Sequence, residues 1–424
     1  MGSANTEVSS ESQRTSRRAA LATFLGSTVE FYDLVAYGSA AAIVFAPLFF
    51  SNASPAVGTA LSFATFAVGY LTRPIGAAIF GHIADTRGRR VTLLWTMYLM
   101  GGSTVLIGLL PDYDAIGDIS PLLLVSLRVI QGIAIGGEQG GAMALVVEHA
   151  SAGRKGFFSS FSTAGTQAGT VLASGAFALV ALLPDEQFHS WGWRVPFLLS
   201  AVIVFVAIYI RRNLPESLPE NPGQVNSNRT PLVKMFRQET RPLTGAFLVY
   251  CSIQVGWYLL TVFGITYAVS AGVDRSTMLW IVAGAALTAM CMNPFWGVLS
   301  DRIGRRRVMI TGLLAYCLFI WLYFLAVHSG IVPLVFLSMV ATAGLGHAAL
   351  NGVTPSFFME SMSSTTRATT AGMAIQFAGV VGGFAPLVAT TLASSNLGIW
   401  LVGLTATGVF LFSGIGTFFL KARN

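Results

Sequence analysis

The chain has 424 residues, 54% of them hydrophobic and only 10% charged, with a formal net charge of +7. Soluble domains carry roughly 25% charged residues, so an ordinary soluble globule is excluded and a multi-pass α-helical membrane protein is expected. Apolar runs of about 20 residues are too long for the alternating strands of a membrane barrel.

Residues 1–19 are polar and are expected to form a flexible cytoplasmic tail. They are not read as a signal peptide, because the apolar stretch that follows is long and carries Glu30 and Asp33. Twelve transmembrane helices are predicted, with cores near 20–46, 57–80, 91–110, 121–147, 157–183, 194–211, 243–269, 277–299, 308–328, 331–358, 370–393 and 398–420. They divide into an N-terminal six-helix bundle, 20–212, and a C-terminal one, 243–420, joined by a polar cytoplasmic linker, 213–242. Residues 421–424 form a short C-terminal end. Among Lys and Arg, all but Arg73, Arg128, Arg194 and Arg275 fall in the tail, the linker or connections on one side. Asp112, Asp114, Asp118, Asp185, Glu186 and Asp274 fall on the other side. The positive-inside rule then puts both termini in the cytoplasm.

In the first helix, Glu30, Asp33 and Tyr37 share one face. They lie about 15–20 Å into the helix, close to the bilayer middle. A carboxylate there must face a polar cavity or a partner, and a carboxyl that can change charge near neutral pH is what a proton-coupled carrier needs. Asp33 is the first candidate for the proton site and Glu30 the second. In the second helix, Arg73 precedes Pro74, which can free a backbone carbonyl. Arg73 can hold a carboxylate bidentately when loaded and pair with Asp33 when empty.

The segment Gly81 to Arg90, GHIADTRGRR, returns 216 residues later as GVLSDRIGRR, Gly297 to Arg306. Gly81, Asp85, Gly88, Arg89 and Arg90 match Gly297, Asp301, Gly304, Arg305 and Arg306, which marks two related halves. Gly88 and Gly304 suit a tight turn; Gly81 and Gly297 suit close helix approach. Asp85 and Asp301 can pair with an arginine or accept from a neighbouring helix N-terminus. Both copies are read as cytoplasmic gate latches.

In the fourth helix, Arg128, Gln131, Ile135 and Glu138 form one stripe. Glu138 is expected to relay a proton or to balance Arg73; Arg128 is expected to link helices or steer an anion inward. Gln167 in the fifth helix joins a polar face with Thr163, Thr166 and Thr170. The second half offers Gln254, Trp257 and Tyr258 in the seventh helix, Asn293 in the eighth, His347 and Asn351 in the tenth, and Gln376 in the eleventh. These are read as contributors of shape and hydrogen bonding to a substrate. Cys251, Cys291 and Cys317 sit in apolar stretches and read as small core residues. No Cys/His cluster suggests a metal, and no nucleophile–base set suggests an enzyme.

The chain resembles the major facilitator superfamily over about residues 20–420. Within it, the metabolite:proton symporters are most similar, the group with bacterial shikimate, 2-oxoglutarate, citrate and proline/betaine carriers. The resemblance rests on VEFYDLVAYG, YLTRPIGAAIFGHIADTRGRR, RVIQGIAIGG, GGEQGGA, WGWRVPF and LPES after the sixth helix. It implies a bacterial inner-membrane symporter working by alternating access, with proton and substrate roles on Asp33 and Arg73 and a coupling role on Glu138. The expected substrate is a small organic acid held at Arg73 between Tyr37, Gln254 and Tyr258, imported with a proton. Its class is shikimate-like, aromatic, or a di- or tricarboxylate. The expected partners are substrate, proton and lipid, with no other cofactor, no nucleic acid, and function as a monomer. A proline- or betaine-type zwitterion symporter, a proton-coupled exporter and a non-transporting receptor remain as alternatives.

Overall fold

The computed structural model describes residues 2–87, 89–136, 146–147, 150, 153–213, 239–363 and 366–421. Helices are named here in chain order. The first half holds α1 (Gly2–Ile43), α2 (Pro55–Leu71), α3 (Arg73–Arg87), α4 (Arg89–Gly108), α5 (Ile119–Gly136), α6 (Lys155–Val180) and α7 (Arg194–Asn213). The second holds α8 (Thr240–Tyr258), α9 (Gly264–Ser270), α10 (Arg275–Ile303), α11 (Arg305–Ser329), α12 (Val332–Ala341), α13 (Ala348–Ser361), α14 (Arg367–Ala393) and α15 (Ile399–Phe419). Wide π turns, Leu259–Phe263 and Thr342–His347, join α8 to α9 and α12 to α13.

Among the described residues, nine helical segments are long and apolar enough to cross a membrane. The other three expected passes fall in α1, α4 and α6, which have 42, 20 and 26 residues. Polar residues dilute these three, and two of them pack deep between neighbours. Gly165 and Gly169 of α6 let α1 come so close that an added Cβ would stand 2.3 Å from the Phe24 carbonyl oxygen and 2.5 Å from that of Thr28.

Three boundaries differ from expectation. The polar tail is drawn into α1 from Gly2, since no Gly or Pro between residues 3 and 25 interrupts the helix. The expected first helix stops at Ile43, and Phe45–Phe49 forms a separate short helix. At the other end of the linker, α8 begins at Thr240, because Pro242 sits in a first turn that needs no intrahelical donor there. Cys291 also departs from its core assignment: it lies exposed on α10, whereas Cys251 is buried.

The halves meet chiefly along α6 and α10, which run antiparallel in contact from end to end. Near the second decapeptide, Gly156 packs on Gly297; at the far end, the Ser276 hydroxyl donates to the Ala178 carbonyl at 2.9 Å. Helix α14 packs against α2, and α13 against α6. The second pass breaks between α2 and α3 at Thr72, where Pro74 lacks the N–H that would reach Tyr70.

Candidate substrate and proton site

Asp33 on α1 is 1% exposed. Its partner is a chain of side chains from α4 and α5. Arg128 and Gln131 sit i, i+3 on α5, so they present one face. The Arg128 Nη1 donates to Gln131 Oε1 at 2.5 Å. Gln131 Nε2 donates to Thr104 Oγ1 at 2.8 Å, and Thr104 Oγ1 donates to Asp33 Oδ2 at 3.0 Å. Asp33 Oδ1 is buried without a hydrogen-bond partner. Tyr37, one turn along α1, places its ring 3.9 Å beneath the Arg128 guanidinium and donates to Thr65 Oγ1 at 2.7 Å. Gly69 of α2 makes the room, since a Cβ there would meet Arg128 Nε at 2.3 Å.

This corrects the expected Asp33–Arg73 pair. The hydrogen-bond chain joins Asp33 to Arg128 through two neutral side chains. Arg128 is buried inside the first half and takes the helix-linking place, not one on an outer rim. Tyr37 belongs to the same group, and the Phe66 ring, 6.4 Å from Tyr37 and 5.3 Å from Tyr258 between centroids, stands between it and the Tyr258 with which it was expected to sandwich a substrate.

Arg73 forms a second centre. It is 3% exposed, its guanidinium lies 3.8 Å over the Tyr70 ring, and its Nε has no hydrogen-bond partner. Tyr70 crosses to the other half, its hydroxyl pairing with that of Tyr258. Gln254 Nε2 donates to the Tyr258 hydroxyl at 3.4 Å. Gly383 of α14 leaves the space Tyr70 fills, and Gly382 the space for Gln254. Glu30 lies half-buried on α1, about one turn before Asp33. Tyr70 went unpredicted, although it lies three residues before Arg73 on the same pass.

His347 anchors a third group. The π turn that ends on it carries its ring against the Trp257 indole, centroids 4.2 Å apart and nearly parallel. Gln167 of α6 donates its Nε2 hydrogen to His347 Nε2 at 2.9 Å, so His347 Nδ1 faces Tyr316, 3.3 Å away, as the donor. Gln167 thus joins the first half to the second, and its Oε1 stays buried without a partner. Asn351 is buried one turn beyond His347. Asn293 is fully buried with both amide atoms unpartnered, and Gln376 is buried with Oε1 unpartnered.

The second decapeptide makes a latch across the halves. Asp301 accepts from the Gly156 and Phe157 amides at 3.0 and 3.1 Å, so its carboxylate caps the N-terminus of α6. Arg305 pairs with Asp301 at 2.6 Å and holds Glu360 bidentately at 3.0 and 3.2 Å. Arg306 donates to the Thr417 and Leu420 carbonyls at the end of α15. Gly304 turns the chain at φ +97°. Glu360 was missed, for nothing near it repeats. In the first decapeptide, Gly81, Asp85, Arg89 and Arg90 lie on helical backbone of α3 and α4. Gly88 and Glu138 lie outside the described residues, as do the side chains of Asp85, Arg89 and Arg90.

The far end is also bridged. Arg275 pairs with Asp185 and donates to the Leu183 and Ala181 carbonyls at 3.0 and 3.3 Å. Contacts between the halves are therefore present at both ends. A cavity of about 380 Å³ remains beside the decapeptide latch, with Lys155, Glu360 and Arg367 in its wall.

A family model described as Major Facilitator Superfamily matches residues 24–274 and 244–424. The chain belongs to the major facilitator superfamily. It is similar to the shikimate transporter of Escherichia coli K12, 38% identical over 395 residues that span 91% of this chain and 89% of that protein. The inner membrane metabolite transport protein YhjE of the same organism is 36% identical, over 91% of this chain and 89% of its own. A putative proline/betaine transporter of Staphylococcus aureus COL is 30% identical, over 90% and 83%. Among solved structures, a D-xylose-proton symporter superposes with a TM-score of 0.76 over 95% of this chain and 97% of its own, at 18% identity. That likeness fixes the facilitator fold. The protein is therefore a multi-pass membrane transporter of the facilitator type, of the metabolite-carrying kind, and not an enzyme.

Proposed function

We propose that this facilitator imports a small organic acid together with a proton, by alternating access, across a bacterial inner membrane. The observation that carries the reading is Arg73. Among the described residues no carboxylate pairs with this buried guanidinium, although an uncompensated buried cation is costly. An incoming carboxylate would compensate it, with Tyr70, Tyr258 and Gln254 beside it. The relatives named as shikimate and metabolite transporters support the substrate class. The proton is assigned to Asp33, whose Oδ1 is buried without a hydrogen-bond partner, with Arg128 rather than Arg73 as the resident countercharge. The proton centre then lies in the first half and the substrate centre between the halves, and their coupling runs through the first-half helices that contribute to both.

A second reading, uptake of a zwitterion, is favoured by the relative named as a putative proline/betaine transporter. The carboxylate would still go to Arg73, and the cation to an aromatic face such as Trp257 or Tyr258. Purified protein in vesicles with an acid exterior separates the readings. Shikimate is expected to accumulate and betaine to leave its uptake unchanged; competition by betaine would favour the second. Arg73→Gln is expected to weaken shikimate binding at least about thirtyfold, since losing a buried charged partner costs about 2 kcal/mol or more. Unchanged affinity in that variant would remove Arg73 from the site.

A further inference from the structure

The chain that ends on Asp33 has a directional logic. An arginine has only donors, so Arg128 must take the oxygen of the Gln131 amide. That turns the Gln131 nitrogen to Thr104, whose oxygen is then an acceptor. The Thr104 hydrogen is left with two acceptors: Asp33 Oδ2 at 3.0 Å and the Met100 carbonyl at 2.9 Å, one turn back on α4. Both Thr104 and Gln131 are fully buried, so water does not compete for these bonds.

We infer that Thr104 is a two-position hydroxyl that reports the charge of Asp33, and that Gln131 is the positioning residue that aims it. With Asp33 ionised, the hydroxyl donates to Oδ2, because a bond to a charged acceptor is roughly twice as strong as one to a neutral carbonyl. When a proton from the aqueous side settles on Oδ1, the charge is gone and the hydroxyl swings to Met100. No other atom changes partner, and the proton is the only group transferred. Among the described residues, the charged and titratable groups beside Asp33 are Arg128 on α5 and, on α1 itself, Tyr32 next to it and Glu30 one turn before it. Tyr32 is fixed by donation to the Pro196 carbonyl at 2.7 Å, which leaves Thr104 as the movable donor. The inference rests on the proposal that Asp33 is the proton site.

The test needs no substrate. Purified protein in lipid vesicles is titrated by infrared difference spectroscopy, and the carboxyl band absent in Asp33→Asn is followed with pH. In Thr104→Val, which keeps the shape and removes the hydroxyl, the midpoint is expected about one pH unit higher. A tenfold change is what one lost bond to a charged group is worth. Thr104→Ser, which restores the hydroxyl, is expected to titrate with the parent. Two results overturn the inference: Thr104→Val titrating with the parent, or Thr104→Ser shifting as far as Thr104→Val, which would make the site one of packing alone. Should the valine variant fail to fold, Gln131→Leu gives the second reading: freeing the hydroxyl from its aim broadens or moves the midpoint, and an unmoved midpoint counts against the device. If Asp33→Asn removes no band at all, the proton assignment itself falls, an outcome distinct from the others.

Discussion

At the scale of single residues, the central feature is the separation of two buried cations. Arg128 is committed: to Gln131, to the Tyr37 ring and, through Thr104, to Asp33. Arg73 rests on the Tyr70 ring and, among the described residues, pairs with no carboxylate. A membrane interior tolerates a charge when it has a partner or a function, and the two arginines divide those cases. Asp33→Asn should therefore abolish accumulation driven by an imposed pH gradient while shikimate exchange between equal pools persists; loss of both at equal folded protein would point to a structural role for Asp33. Much of this was legible. Helical spacing grouped Glu30 with Asp33 and Tyr37, and Arg128 with Gln131, because i, i+3 and i+4 positions share a face wherever a helix forms. The partner of Asp33 was not legible. A sequence fixes which residues share a face, but not how that face is rotated against another helix. Thr104, a neutral hydroxyl on an apolar helix, leaves no pattern to find.

At the scale of elements, the decisive contact is α6 on α10. Gly156 and Gly297 place backbone on backbone, and a Cβ on Gly297 would come within 2.6 Å of the Gly156 carbonyl oxygen. A carbonyl in a helix cannot swing aside, so Gly297→Val should wedge these two helix ends apart and strip Asp301 from the Gly156 and Phe157 amides. A cysteine placed at Ser160 should then react with a water-soluble thiol reagent several times faster than in the parent; an unchanged rate would mean the interface absorbs the methyls elsewhere. The repeat made Asp301 and Gly304 legible as gate parts, and the capped helix N-terminus was among the partners expected. The bidentate Glu360 was not, because Arg305 reaches it across a gap of 55 residues.

At the scale of the whole molecule, the contacts between the halves at the two ends differ in kind. The decapeptide side uses a helix cap, an ion-pair network and a glycine contact; the far side leans on Arg275, which gathers one carboxylate and two carbonyls from the first half. Arg275→Ala should release roughly 1–3 kcal/mol of far-side contact, enough to shift an opening equilibrium about fivefold or more. Spin labels at Leu182 and Gly272 should report a longer separation in that variant; an unchanged distance distribution would show that other contacts hold the far side. The two-half plan was visible from the doubled decapeptide and the polar linker. The contacts that join the halves at both ends were not, since they depend on how helices are rotated against one another.

The two π turns carry one more implication. Each inserts an extra residue into a helical turn, immediately after Tyr258 in one case and ending on His347 in the other. One residue of helix corresponds to about 100° of rotation. Ironing out either turn would spin the remainder of that pass like a key in a lock, carrying the His347 ring off the Trp257 indole or turning the helix after Tyr258 away from its present neighbours. The second half therefore holds its polar groups in register through two local irregularities. A change of pitch at either one re-aims side chains without any helix being unwound.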